Sequence, residues 1–254
     1  MYKTHRSILQ STLRSTLGLL TLATLLLCAG AMAQEATIRK VLAERLPQLP
    51  KIDEITRSPV AGLWEVRFGG SEILYSDEKG DFIIANGALI DTKTRTDLTS
   101  ERLEKLMAID FDDLPIKDAL VIKQGNGARK LAVFGDPNCG YCKRLERDLA
   151  QLKDVTIYTF LIPILGPDSV AKSRDVWCAK DPMDAWRDWM LEAKVPAKAG
   201  KSCNSAAVER NLAFSRKHRI NGTPALIFEN GTRKPGAIPA AMLEQLLVTA
   251  AAKK

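Results

Sequence analysis

Histidine is scarce in this sequence: its 254 residues hold only His5 and His218. A metal site built from imidazoles therefore has almost no material. No block of Lys and Arg is interleaved with aromatics, which make up 6% of the chain, so the formal charge of +7 gives no support to a nucleic-acid partner. That charge reads as a solvated surface. No internal repeat occurs, and no low-complexity tract lies outside the Ala/Lys tail. No acidic residue precedes Glu35, and the apolar run from Leu17 to Leu27 is short for a membrane span.

What the N-terminus does carry is ordered. Lys3, Arg6 and Arg14 precede the apolar run, and Ala31-Met32-Ala33 follows it. A positive region, an apolar region and an A-x-A site in this order predict a secretory signal peptide over residues 1–33, and hence an exported, periplasmic-type protein. Lipid attachment at Cys28 is disfavoured, because the bulky Leu27 stands where such sites carry a small residue. Cleavage after Ala33 removes three positive charges, takes +7 to +4, and leaves 221 residues, a length that suits one or two domains.

Cys28 leaves with the signal, and Cys139, Cys142, Cys178 and Cys203 remain. An even count in an exported chain favours disulfides. Four cysteines allow three pairings, and the sequence alone does not choose among them. The simplest joins Cys139 to Cys142 and Cys178 to Cys203, the second pair enclosing 24 residues.

The mature chain divides near residues 95–112. In its first part, Ala36 to Leu46 has helical spacing, with Ile38, Val41, Leu42 and Leu46 on one side and Pro47 as the stop. Strand signals follow. Trp64, Val66 and Phe68 alternate with Glu65 and Arg67, the mark of a half-buried strand. Ile73 to Tyr75, Phe82 to Ala85 and Ala88 to Ile90 are further short strands, with turns at Asp77 to Gly80 and at Asn86-Gly87. So small a domain has a marginal core, and a second copy could cover one of its edge strands. A linker helix is expected next, with Leu103, Leu106 and Met107 on one side after the capping candidates Thr99 and Ser100, ending at Phe111 to Pro115.

The second part alternates strand and helix. Lys130 to Gly135 is a short buried strand, and Cys139 to Leu152 a helix. Val155 to Leu161 is a second strand, and a helical region runs from about Ser169 to Lys217. Ala225 to Phe228 is a third strand, turned by Asn230-Gly231 into a fourth from Thr232 to about Gly236, and Pro239 to Ala250 is the last helix. This order is a thioredoxin-like arrangement with a helical insertion.

The C-x-x-C at the start of the first helix carries the chemistry. The helix N-terminus favours the thiolate of Cys139, and the thiolate is the attacking species. Cys139 would attack a substrate disulfide, and the more buried Cys142 would resolve the mixed disulfide. Lys143 and Arg144 add positive charge nearby. A zinc site would need a second cysteine or histidine pair at short spacing, which Cys178 and Cys203 do not make, and no cofactor is called for. A purely structural bond between Cys139 and Cys142 would close almost no loop. Thr223-Pro224 is the second informative segment. A proline at the start of a buried strand removes a ladder donor, and a cis-proline there would leave the preceding backbone free to hold an extended substrate segment. Cys178 and Cys203 read as a brace for the helical insertion, worth ~3–4 kcal/mol in the chain-entropy model. His218, among charged neighbours, reads as a solvated helix end. Trp177, Trp186 and Trp189 read as packing.

With these residues in hand, the chain resembles the DsbC disulfide isomerases of the bacterial periplasm, close relatives of the DsbG proteins. The resemblance is carried by Phe134-Gly135-Asp136-Pro137-Asn138-Cys139-Gly140-Tyr141-Cys142-Lys143, by Trp177-Cys178-Ala179-Lys180 and by Gly222-Thr223-Pro224. The Gly-Tyr dipeptide is like DsbC, where DsbG-type sites usually carry Pro-Tyr. The resemblance implies an α+β chain with a signal peptide (1–33), a small cystatin-like dimerisation domain (34–97), a helical linker (98–112) and a thioredoxin-like catalytic domain with a helical insertion (113–254). It implies a V-shaped homodimer whose two active sites face an apolar cleft for misfolded, disulfide-containing exported proteins. It further implies a Cys139/Cys142 pair kept reduced by the membrane reductase DsbD, chaperone activity, and a structural second cysteine pair. Protection of oxidised cysteines, as in DsbG, and net thiol oxidation are the alternatives on the same fold. One departure stands out. Thioredoxins carry a buried Asp six residues before the first active cysteine, and here Val133 holds that place.

Overall fold

The structure is a computed structural model that describes residues 32–252. The expected signal peptide, with Cys28, lies outside the described residues apart from Met32 and Ala33. The fold is α+β and divides into two compact units, one ending at Leu106 and the other starting at Met107.

In the first unit a helix over residues 32–45 (α1) packs on a four-stranded antiparallel sheet of order β1-β2-β3-β4. The strands are β1 (Ile52–Arg57), β2 (Leu63–Phe68), β3 (Glu72–Asp77) and β4 (Ile83–Ala85). Ile38 and Leu42 of α1 meet Trp64, Val66 and Phe68, the alternate residues of β2, together with Ile52, Ile55 and Leu74. The sequence pattern missed β1, and the register explains why. A bulge between Ile52 and Glu54 places the buried Ile52 and Ile55 three apart rather than two, which breaks the strand period. The expected strand Ala88 to Ile90 is corrected too. Asn86-Gly87 does not fold a hairpin back from β4; instead β5 (Ile90–Asp91) pairs with β6 (Thr96–Asp97) in a separate ribbon.

The linker helix is shorter than expected and differently capped. Helix α2 (Leu98–Leu106) begins after Asp97, whose carboxylate accepts from the Ser100 amide at 2.9 Å and from its hydroxyl at 2.8 Å. Thr99 is buried instead, its hydroxyl 2.5 Å from Tyr75 Oη and accepting from the Leu89 amide. Arg102 ties α2 to the sheet through Glu65 at 2.9 Å and Glu54 at 2.8 Å. Phe111, expected at the end of this helix, opens a short 3-10 turn and is buried in the core of the second unit.

The second unit holds a five-stranded sheet of order β11-β10-β8-β9-β7. Its strands are β7 (Leu120–Gln124), β8 (Arg129–Gly135), β9 (Val155–Leu161), β10 (Ala225–Phe228) and β11 (Arg233–Pro235). Strand β8 is parallel to β9 and antiparallel to β10. Its unbroken apolar run follows from burial on both faces. Leu131 and Val133 point into one core with Leu145, Leu149, Leu243 and Leu247, whereas Ala132 and Phe134 point into another with Phe160 and Ile162. The edge strand β7 was not read from the sequence. The helices are α3 (Gly140–Leu149), α4 (Pro167–Trp177), α5 (Pro182–Glu192), α6 (Ala206–Lys217) and α7 (Ala240–Ala251). The single helical stretch expected between Ser169 and Lys217 is three helices, two of them opened by a proline in the first turn. Cys178, at the end of α4, is bonded to Cys203, just before α6, with 6.1 Å between their Cα atoms. His218 is not a solvated end: its ring stacks on Phe214 with 4.2 Å between centroids.

Candidate active site

Cys139 is the N-cap of α3, with extended backbone angles, and its sulfur accepts from the Cys142 amide at 3.4 Å. The helix therefore begins just where the first sulfur sits, and its free N–H groups point at that sulfur. Across the site the Thr223–Pro224 peptide bond is cis, and the Cys139 sulfur lies 3.2 Å from the Thr223 carbonyl oxygen, to which it donates only in its thiol form. Cys139 and Cys142 are both buried thiols, not bonded to each other.

The two sulfurs differ sharply in acidity. The Cys139 thiol is lowered to about 5, first by a hydrogen bond from Cys142, then by the Thr223 side chain and the Cys142 and Tyr141 amides, against the opposing cost of burial. The Cys142 thiol is pushed strongly upward, first because its proton is held on Cys139 and then by desolvation. The pair thus keeps one sulfur as thiolate at neutral pH and the other as thiol.

Asp136 holds the loop before the helix. It is fully buried, and its carboxyl accepts from the Asn138 amide (2.7 Å), the Ser169 hydroxyl (2.7 Å), the Ile164 amide (2.8 Å) and the Leu165 amide (3.0 Å). These bonds set the exposed Ile164 and Leu165 beside the loop that carries Cys139, where Tyr141 is exposed as well. Gly135 sits where β8 meets the site. A Cβ there would lie 3.3 Å from the Trp186 ring, close enough to press on it, and 3.8 Å from the Cys142 sulfur, an ordinary contact.

Residues 116–251 match the family described as thioredoxin-like domain, and residues 29–100 match the disulfide bond isomerase protein N-terminal domain. The probable thiol:disulfide interchange protein DsbC of Bordetella parapertussis is 47% identical over 77% of this chain and 68% of its own length. The chain belongs to the DsbC family. The thiol:disulfide interchange protein DsbC of Escherichia coli K12 is 30% identical over 85% of this chain and 89% of its length. The crystal structure of a disulfide interchange protein from Neisseria gonorrhoeae matches 54% of this chain and 98% of its own, at 37% identity and a TM-score of 0.51. As a DsbC-family chain with a thioredoxin-like domain, this protein is a thiol–disulfide oxidoreductase. Among its described residues no helix is long and apolar enough to cross a membrane.

The structure brings Cys139, Cys142, Thr223 and Pro224 to one place and sets Cys178 and Cys203 apart in the helical insertion. Three further residues of this DsbC-family site carry no functional signature in the sequence. Asp136 was visible only as a strand breaker. Trp189 donates to the Pro137 carbonyl at 2.6 Å and takes the ammonium groups of Lys143 and Lys172 on its ring at 4.1 and 4.9 Å. Lys143 thus lies on an aromatic face rather than free in solvent. Trp186 is buried against the same helix that carries the cysteines.

Proposed function

We propose that this chain isomerises non-native disulfides in exported proteins, with Cys139 as the nucleophile, Cys142 as the resolving thiol, and Thr223-Pro224 as the backbone that holds the substrate segment. The observation that carries the reading is the Cys139 thiolate at the start of α3, facing the cis Thr223–Pro224 bond. The thiolate attacks a substrate disulfide, a Cys139–substrate bond forms, and one substrate sulfur leaves as thiolate. That thiolate then attacks a different disulfide of the same substrate, which ends in a new pairing and a regenerated Cys139. Where no such attack follows, Cys142 displaces the substrate, a Cys139–Cys142 disulfide remains, and the membrane reductase DsbD restores the dithiol. Exposed Tyr141, Ile164 and Leu165 around the sulfurs suit apolar segments of misfolded chains and a chaperone role.

The working form is a periplasmic homodimer, released from a signal peptide over residues 1–33 and joined through a domain over residues 34–97. In support, β4 is an edge strand, and Phe82 just before it, Ile84 on it and Ile90 on β5 are more than half exposed. The test is reactivation of a scrambled multi-disulfide protein by residues 34–254, beside residues 107–254. Recovery by the first and poor recovery by the second is expected. Equal recovery would make the N-terminal domain dispensable, and none by either would point to a dedicated oxidase, a reductase or a protector of oxidised cysteines.

A further inference from the structure

The resolving step has an unmet chemical need. Cys142 must lose its proton before it can attack, and in the mixed disulfide, where Cys139 is bonded to substrate, burial still holds that proton on the sulfur. Strand β8 offers no acceptor beneath it, since Val133 packs in an apolar core. Helix α3 does. Glu146 lies one turn beyond Cys142 on the same face, and residues so spaced are neighbours. Both are buried, at 2% and 6% exposure. The Trp186 indole lies between them in the fold: its Nε1 donates to Glu146 Oε1 at 2.7 Å, and its ring shares a buried cluster with Cys142, both lying over Gly135. Glu146 also lines a cavity of about 10 Å³ with Gln124, whose buried Oε1 has no partner, and room of this order suits a single water.

We propose that Glu146 is the acceptor to which the Cys142 thiol passes its proton when it resolves the mixed disulfide, and that Trp186 positions it. In this step the Cys142 S–H bond breaks and a Glu146 O–H bond forms. The sulfur's electron pair makes the Cys142–Cys139 bond, the Cys139–substrate bond breaks, and the substrate leaves as thiolate. The proton then leaves Glu146 for solvent. Burial raises the Glu146 carboxyl to about 7, offset in part by the Trp186 bond and by the Arg187 charge. An acceptor near neutrality is well matched to a proton transfer at neutral pH. The groups around it are Trp186 and Arg187 on α5, Gln124 on β7 and the neutral Ile157 on β9, with Cys142 one turn back on its own helix.

The inference rests on Cys139 and Cys142 acting as attacking and resolving thiols, and the test separates the two ideas. Residues 34–254 react with dithionitrobenzoate, a symmetrical aromatic disulfide. The first thionitrobenzoate released reports attack by Cys139, and the second reports resolution by Cys142. Absence of the first phase would defeat the assignment of the thiols. With the first phase intact, the second is expected to quicken with pH through about 7. Glu146→Gln keeps an oxygen for the indole. It should slow the second phase at pH 8 by roughly tenfold or more and remove that inflection, with the first phase unchanged. Trp186→Phe should move the inflection to higher pH. A Glu146→Gln profile that overlies the wild type overturns the proposal. If that variant does not fold, carboxyl ¹³C titration of the wild type decides: a glutamate near 7 should change midpoint between dithiol and disulfide forms, and an unchanged midpoint overturns the proposal.

Discussion

Cys139 and Thr223 stand 84 positions apart in the chain, and the Cys139 sulfur lies 3.2 Å from the Thr223 carbonyl oxygen. The contact joins the first turn of α3 to the loop that enters β10. It sets a thiol prone to ionise beside backbone that precedes a cis-proline. In the proposed mechanism acidity and substrate placement share one residue, because the Thr223 side chain also favours the thiolate.

Alkylation of Cys139 should follow its ionisation, with a midpoint of about 5 in a pH series with iodoacetamide. Thr223→Val removes one hydrogen bond to a charged sulfur and should raise the midpoint by about 1 pH unit. Cys139→Ser should abolish exchange altogether. An unaltered midpoint in the Thr223 variant would assign the acidity to the helix and Cys142 alone.

The same ionisation links stability to pH. The folded value of Cys139 is about 5 and its ordinary value is 9.0. Between them the unfolded chain binds the extra proton, so the dithiol form should gain stability as pH rises through this window. That contribution is complete above pH 9 and is lost as pH falls through about 5. Denaturant unfolding at several pH values, for the dithiol protein and for Cys139→Ser, should show a slope in the first that is weaker in the second.

Glu146 has the opposite sign. Its folded value, about 7, lies above the ordinary 4.5, so the folded state binds the extra proton. Its contribution is fully present below pH 4.5 and is lost as pH rises through about 7. Glu146→Gln should therefore gain stability relative to the wild type as pH rises through this window, reaching about 3 kcal/mol by pH 8. Thermal unfolding at pH 4.5 and pH 8 checks this.

Asp136 takes four hydrogen bonds with no solvent exposure. Asp136→Ala leaves those donors unmet and should cost on the order of 3 kcal/mol or more. It should also slow exchange, since the loop that carries Cys139 and the loop that carries Ile164 and Leu165 lose their common anchor. Urea unfolding and the dithionitrobenzoate assay measure the two effects separately.

Paired Cys178→Ala and Cys203→Ala substitutions should lower stability by ~3 kcal/mol and leave alkylation of Cys139 at its wild-type pH. A shifted alkylation midpoint would show that the helical insertion influences the sulfurs.

Features that repeat along the chain, or that sit within a few residues of one another, are legible in the amino-acid order alone. The alternation of Trp64, Val66 and Phe68 marks β2, the unbroken run Leu131 to Phe134 marks a strand buried on both faces, and Cys139 to Cys142 marks a thiol pair at a helix start. Strand β1 escaped because its bulge destroys the period on which such readings depend. Asp136, Glu146 and Trp186 escaped for another reason. A buried carboxyl has no periodic signature, and the partners that define it lie 28 to 40 positions away. Only the tertiary structure brings the Ile164 amide to Asp136 and the Trp186 indole to Glu146. What a titratable side chain does depends on desolvation and on those few distant donors, and both come into being when the chain packs.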